Sequence, residues 1–565
     1  MAAVTDGRHP PAVEPRTASR ATHEVVNQAA PLDGHNAFRE NRPLVEALRR
    51  EGAGWAEPRV EALGEVAGRA DTIALGFAAN EHPPILHTHD RVGRRVDEVE
   101  FHPAWHGLME ISLAHGLHAL PWREPVPGAH VARAAMFMLM AAVEAGHGCP
   151  VSMTYAVVPA LRATPELAEE WEPRLTSLAY EPGLGPAASK TGVLAGMAMT
   201  EKQGGSDVRA NTTLARPVDG GGSGAEYELT GHKWFCSAPM CDVFLVLAQA
   251  GEGLSCFVLP RVLEDGTRNA FHIQRLKDKL GNRSNASSEV EFDGAVARLL
   301  GEEGRGVRTI IEMVNHTRLD CVLGTAAGMR LGVEQAIHHA AHRSAFGRLL
   351  IDQPLMRNVL ADLCVESEAA TVTAMRLARA YDAAGDPSED RFRRLATAVA
   401  KYWICKRGPT HSAEALECLG GNGYVEASGL PRLHREMPLA SIWEGSGNVS
   451  ALDVLRALAR APDSLEAFFD EVGLAAGAEP RLDRAVAGVR DELTRDPASL
   501  ELRARRVVER MALCLQGSLL VRHGAPAVAD AFCATRLAGD GGYAFGTLPA
   551  AAEVAAIVER HRPRV

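Results

Sequence analysis

The stretch AMTEKQGGSDVRANTT, residues 198 to 213, marks the place where the texture of the chain changes. Upstream, from about residue 45 to 190, the chain is rich in Ala, Leu, Glu and Arg. Spacings such as Leu44, Ala47, Leu48 and Glu51 predict helices there. Downstream come AEYELTGHKWF, DVFLVLAQA, LSCFVLP, AFHIQRL and SSEVEFDG, short β-branched and aromatic runs broken by Gly, Asp and Asn. Such runs predict strands. The stretch itself supports two readings. A Gly204-Gly205 turn presents successive backbone N–H groups, and Thr200 and Ser206 add hydroxyl donors, which together suit an anionic ligand. A solvated loop between two structural units has the same composition. The stretch is not a G-x-G-x-x-G opening a helix, so a dinucleotide would be held in another way.

From about Gly304 the helical pattern returns and runs to about Arg460. A last helical stretch follows, with a break at GDGGYAFG, residues 539 to 546. At 565 residues the chain exceeds what one core supports. Five segments are expected: an N-terminal extension (1–45), a helical domain (46–190), a β domain (191–300), a helical bundle (301–461) and a C-terminal helical domain (462–565). The net charge of −11 provides no global field for nucleic acid or an anionic membrane. The most apolar run, Ala134 to Gly146, is interrupted by Glu144 and falls short of the ~20 residues that span a bilayer. Residues 1–20 lack an apolar secretion-signal core. The 10 cysteines form no C-x-x-C pair, so a reduced, cytoplasmic chain without a structural metal is expected.

Four further segments bear on chemistry: His232-Lys233-Trp234-Phe235-Cys236-Ser237, Arg343-Ser344-Ala345-Phe346-Gly347 with Gln353, Glu417-Cys418-Leu419-Gly420-Gly421, and Trp443-Glu444-Gly445-Ser446-Gly447-Asn448. Together with the 198 stretch they resemble the signatures of the acyl-CoA dehydrogenase family. The resemblance implies a mainly α fold with a central β-barrel-like domain, and FAD as cofactor. Met197, Met199, Thr200, Gly205 and Ser206 then contact the flavin or its pyrophosphate. Trp234, Phe235, Cys236 and Ser237 flank the flavin ring, with Cys236 standing where many relatives carry Thr. Arg343, Phe346, Gln353, Glu417, Gly420 and Gly421 serve the FAD of a neighbouring subunit, although Ala427 replaces the acid or amide usual after the glycine turn. Trp443, Ser446 and Asn448 complete the set. Glu444 stands at the position of the base that takes the α-proton of an acyl thioester. An alternative base position used by some relatives falls on Thr317 and is empty.

The likeness is greatest to the AidB-type branch, associated with the bacterial response to DNA alkylation. It is carried by THEVVNQAAPL (22–32), REGAGW (50–55), GRRVDEVEFHPAWH (93–106) and LGNRSNASSEVEF (280–292). It implies an FAD-bound homotetramer, an N-terminal segment that ties subunits together, and a C-terminal domain on double-stranded DNA. Residues 463–565 hold 13 Arg and 15 Asp plus Glu, so any DNA contact must come from a cluster. Arg503, Arg506 and Arg510 share one helical face, which suits phosphate contacts that ignore sequence. The same face also reads as a solvated one paired with Glu501 and Glu509. Three functions are therefore expected: a DNA-shielding or alkylator-inactivating flavoprotein with weak isovaleryl-CoA-like activity, an ordinary short- or branched-chain acyl-CoA dehydrogenase, or an FAD-stabilised scaffold.

Overall fold

The computed structural model describes residues 22–564, so the reading of residues 1–20 lies outside the described residues. The chain opens with helices α1 (Arg42–Leu48), α2 (Glu57–Ala67) and α3 (Ala70–Glu81). A hairpin follows, β1 (Ile85–His89) and β2 (Arg95–Glu100). Next come α4 (Pro103–Ala114), α5 (Leu120–Arg123), α6 (Ala129–Val143), α7 (Gly148–Leu161) and α8 (Pro165–Leu175).

The hairpin corrects the expectation of continuous helix between 45 and 190. β1 alternates exposed and half-buried residues while β2 does not alternate strictly, and the turn between them is locally encoded. The Asp90 carboxylate accepts the N–H groups of Val92 and Arg94, while Gly93 takes φ +86°. Two strands of five and six residues leave too short a period-2 signal beside long helical neighbours.

The β region holds β3 (Ala195–Ala198), β4 (Leu214–Pro217), β5 (Glu226–Ser237), β6 (Val243–Ala250), β7 (Gly253–Pro260), β8 (Phe271–Leu276) and β9 (Ser287–Leu300). Strand order is β3-β6-β4-β5-β9-β7, with β8 on β9. Because β6 also pairs with β7, the sheet closes on itself and its inward residues fill the centre.

Helix α9 (Gly306–His342) begins the second helical part and ends in the small hairpin β10 (Ser344–Ala345) and β11 (Arg348–Leu349). Helices α10 (Pro354–Asp382), α11 (Pro387–Glu417), α12 (Leu430–Ala440) and α13 (Gly447–Arg460) complete the bundle. The C-terminal helices are α14 (Asp463–Gly473), α15 (Pro480–Thr494), α16 (Leu500–His523), α17 (Pro526–Phe532) and α18 (Val554–His561).

Buried ion pairs fasten these last helices to α10. Arg536 reaches Asp362 at 2.6 Å and Glu366 at 3.0 Å. Arg560 meets Glu368 at 2.9 Å, and His561 meets it at 3.0 Å. Among the described residues no helix is long and apolar enough to cross a membrane, and no His, Cys, Asp or Glu cluster could hold a metal ion.

Candidate functional site

The 198 stretch is pinned from below. Glu201 is wholly buried and pairs with Lys233 of β5 at 2.7 Å. Its carboxylate also accepts the N–H groups of Thr212 and Thr213 at 2.7 and 3.1 Å. Burial opposes its ionisation, but Lys233 and these donors outweigh burial and hold the carboxyl well below its usual range. Burial in turn pushes the Lys233 ammonium down to about 8. The turn above this ion pair is therefore fixed in place while Gly205 and Ser206 stay exposed. A Cβ on Gly205 would lie 2.5 Å from Thr200 Oγ1, so glycine is what lets the turn fold back on that hydroxyl.

Thr200 accepts the Trp234 N–H through its carbonyl at 2.8 Å, which joins the stretch to β5. Trp234 carries Lys277 Nζ 3.2 Å from its ring centroid, a cation–π contact. Phe235 is half-exposed. Cys236 is wholly enclosed, and burial pushes its thiol up to about 12. Its sulfur therefore offers neither a charge nor an open surface to the cleft.

Glu444 sits between α12 and α13 in left-handed backbone, φ +56°, followed by Gly445 at φ +103°. The turn is held by buried cations that bond its carbonyls. Lys401 donates to Trp443 O at 2.8 Å and to Gly445 O, and Arg318 donates to Glu444 O at 3.0 Å. Asp453 balances Arg318 at 2.9 Å. The carboxylate points at α9, where Thr317 Oγ1 donates to Oε2 at 2.9 Å. Burial raises the Glu444 carboxyl above its ordinary range, while Thr317, Arg318 and Lys401 temper the rise. Trp443 Nε1 is buried without a partner, and Ser446 stands at the N-cap position of α13 with Asn448 exposed in its first turn. Cys149 of α7 is buried, and burial pushes its thiol up to about 12, with Lys279 and Asn285 tempering the rise and the Glu444 charge adding to it. Motif reading missed Lys401, Arg318 and Cys149, because residues on other elements acquire their role only through packing.

Met197, in β3, and Met199, just past it, are half-buried against the core, and the remaining predicted residues lie at or near the surface. Phe346 is 99% exposed at the β10–β11 turn with φ +52°, and Gln353 Nε2 donates to Ala345 O at 2.8 Å. Arg343 donates to Asn27 O at 2.9 Å. Glu417, Gly420 and Gly421 are exposed, and Gly420 has φ +59°. Space for 4 Å around both glycines is open, which suits a bulky ligand or a second chain. On α16, Arg503, Arg506 and Arg510 converge on Glu492 of α15 at 2.8, 3.6 and 3.6 Å. The partner is thus Glu492 rather than Glu501 or Glu509, since antiparallel α15 packs its acid against this face.

An open glycine turn, a pinned hydroxyl-bearing loop, an orphaned indole N–H and a carboxylate of raised pKa fit a flavin cofactor and proton abstraction. Together they define an FAD-dependent oxidoreductase of the acyl-CoA dehydrogenase type. Family models agree: residues 27–182 match the adaptive response protein AidB N-terminal domain, 196–295 the acyl-CoA dehydrogenase middle domain, and 304–459 the acyl-CoA dehydrogenase C-terminal domain. The chain belongs to the acyl-CoA dehydrogenase family, in its AidB-type branch. It is 48% identical to the putative acyl-CoA dehydrogenase AidB of Escherichia coli, over 92% of this chain and 95% of that one. It is 30% identical to acyl-CoA dehydrogenase family member 11 of Caenorhabditis elegans, over 86% and 84%. The crystal structure of Caenorhabditis elegans ACDH-11 in complex with C11-CoA superposes with a TM-score of 0.83, at 28% identity and covering 91% and 94% of the two chains.

Proposed function

We propose that the chain dehydrogenates an acyl-CoA thioester, with Glu444 as the base. The observation that carries this reading is the Glu444 carboxyl, raised by burial and aimed by the Thr317 hydroxyl at 2.9 Å. A base matched to a weakly acidic α-proton needs this combination of raised affinity and fixed direction. Bound FAD supplies the hydride acceptor for the β-carbon. Thr200, Gly205, Ser206, Trp234 and Ser237 would hold the cofactor from within the subunit. Arg343, Phe346, Gln353, Gly420 and Gly421 would reach that of a neighbour, which needs at least a second subunit and fits a homotetramer. Left-handed backbone at Glu444, clamped by Lys401 and Arg318, holds the carboxylate in position while its proton is gained. The test is flavin bleaching by a panel of acyl-CoA thioesters. Bleaching by wild type and its loss in Glu444→Gln, with FAD retained, supports the reading, and normal bleaching in the variant refutes it.

A second role, sequence-independent binding of double-stranded DNA, is favoured by Arg506 and Arg510. Their side chains are 56% and 43% exposed and share one weakly held carboxylate. Together with the AidB-type likeness this supports shielding of DNA or inactivation of alkylating agents near it. Retention of duplex DNA at low salt tests it, and its absence would leave the dehydrogenase reading alone.

A further inference from the structure

The hairpin β1–β2 docks on the barrel flank and encloses, with the β7–β8 connection and β8, a cavity of about 230 Å³. It lies at the end of β8 away from Trp234, since β8 starts at Phe271 and Lys277 just beyond its far end covers that indole. Six residues of extended chain separate the two places by roughly 20 Å. The cavity therefore belongs to neither the flavin cleft nor the Glu444 turn.

Arg261 forms part of its wall and is only 4% exposed. The guanidinium donates to Pro239 O and, at 3.1 Å, to Asp97 O, and it stacks 4.3 Å from the Phe271 ring centroid. Both acceptors are neutral carbonyls, and Nε has no partner. Arg261 has therefore lost its hydration with no carboxylate in contact; Asp97 and Asp242 offset its charge only through space, and an entering anion would add to that offset.

The other groups facing the cavity are two guanidiniums, one imidazole and two acids. Arg95 donates to the Asp97 carboxylate at 2.7 Å and to Ile273 O at 3.1 Å. Arg268 bonds Val96 O and the rim acid Glu98. His272 Nδ1 lies 3.6 Å from Asp97, whose other oxygen accepts Ile273 N at 3.2 Å. Both carboxylates are thus engaged sideways, and three guanidiniums face two acids. Asp97 itself is held at φ +46°, a left-handed conformation that an ordinary strand residue avoids.

We propose that this cavity binds a small oxyanion of the phosphate class, inorganic phosphate or a phosphate monoester, with Arg261 at its base and Arg268 and His272 at its mouth. Divergent guanidinium donors suit a tetrahedral anion. A single water needs only about 10–15 Å³ of such space, so 230 Å³ leaves room for the anion and a short ester.

The test is calorimetric titration of the flavin-loaded full chain with inorganic phosphate, glycerol 3-phosphate and acetate. Saturable binding of one phosphate or one monoester per chain is expected, with acetate weaker. Arg268→Ala weakens it about tenfold or more while the flavin spectrum and the phosphate-free melting temperature stay unchanged. Arg261→Gln abolishes it. Binding of the ester alone identifies the source and sustains the proposal. Two results overturn it: no saturable binding of either phosphate species by wild type, or binding equal in wild type, Arg268→Ala and Arg261→Gln, which marks an adventitious ion elsewhere.

Discussion

The hydroxyl of Thr317, on α9, donates to Oε2 of Glu444 at 2.9 Å, across 127 residues of sequence. Thr317 thereby orients a carboxylate that belongs to a distant turn. Its bond favours the ionised form. Thr317→Val should raise the Glu444 pKa further, since it removes a hydrogen bond that stabilises the charged form. The acidic limb of the pH profile for flavin bleaching should move to higher pH, with Thr317→Ser restoring it. An unmoved limb would remove Thr317 from the site.

Lys233 and Glu201 are a buried pair under the 198 loop. Lys233→Met strands a charge and should cost about 3–5 kcal/mol. Glu201→Gln combined with Lys233→Met should recover most of the melting temperature, yet the loop, now without its anchor, should bind FAD more weakly. Additive losses in the double variant would show that the two residues do not act as a pair.

Arg506→Ala with Arg510→Ala leaves Arg503 on Glu492 at 2.8 Å, so α15 and α16 stay joined. If these arginines meet phosphates, the slope of log affinity for duplex DNA against log salt should fall by about 1.8, close to 0.9 per contact. An unchanged slope would place the DNA surface elsewhere.

The clamp on α10 predicts a bounded stability optimum. Burial opposes ionisation of Glu366 and Glu368, but Arg407 for the first and His561 for the second lead the groups that hold both near 2, below the ordinary 4.5. Their contribution is present above 4.5 and lost as pH falls toward 2. Burial disfavours the His561 cation, yet Cys364 and Glu368 raise it from 6.5 to about 9, so its share is full below 6.5 and fades as pH climbs through 9. The melting temperature should peak between these limits, and His561→Gln should flatten the alkaline side. A variant with the same alkaline slope would count against the clamp.

Short motifs were legible because local chemistry writes them. Gly204-Gly205 announced a turn, and the β-branched runs after residue 213 announced strands. The 85–100 hairpin was not legible, because its two short strands are stabilised by docking on β8 through Asp97 and Arg95 rather than by their own pattern. Arg503, Arg506 and Arg510 could be placed on one face from spacing, but not their partner, since Glu492 belongs to another helix.

What the sequence determined by itself was therefore the order of helical, β and helical parts, while Glu444 stood out only through the family resemblance. Backbone propensity and period act over a few residues and can be read from neighbours. Only the tertiary structure decided that Thr317 aims that carboxylate, that Lys401 and Arg318 hold its turn, and that Arg261 lies buried with its Nε unpartnered. Desolvation and pairing depend on groups brought together from distant positions, and that information exists only once the chain has packed.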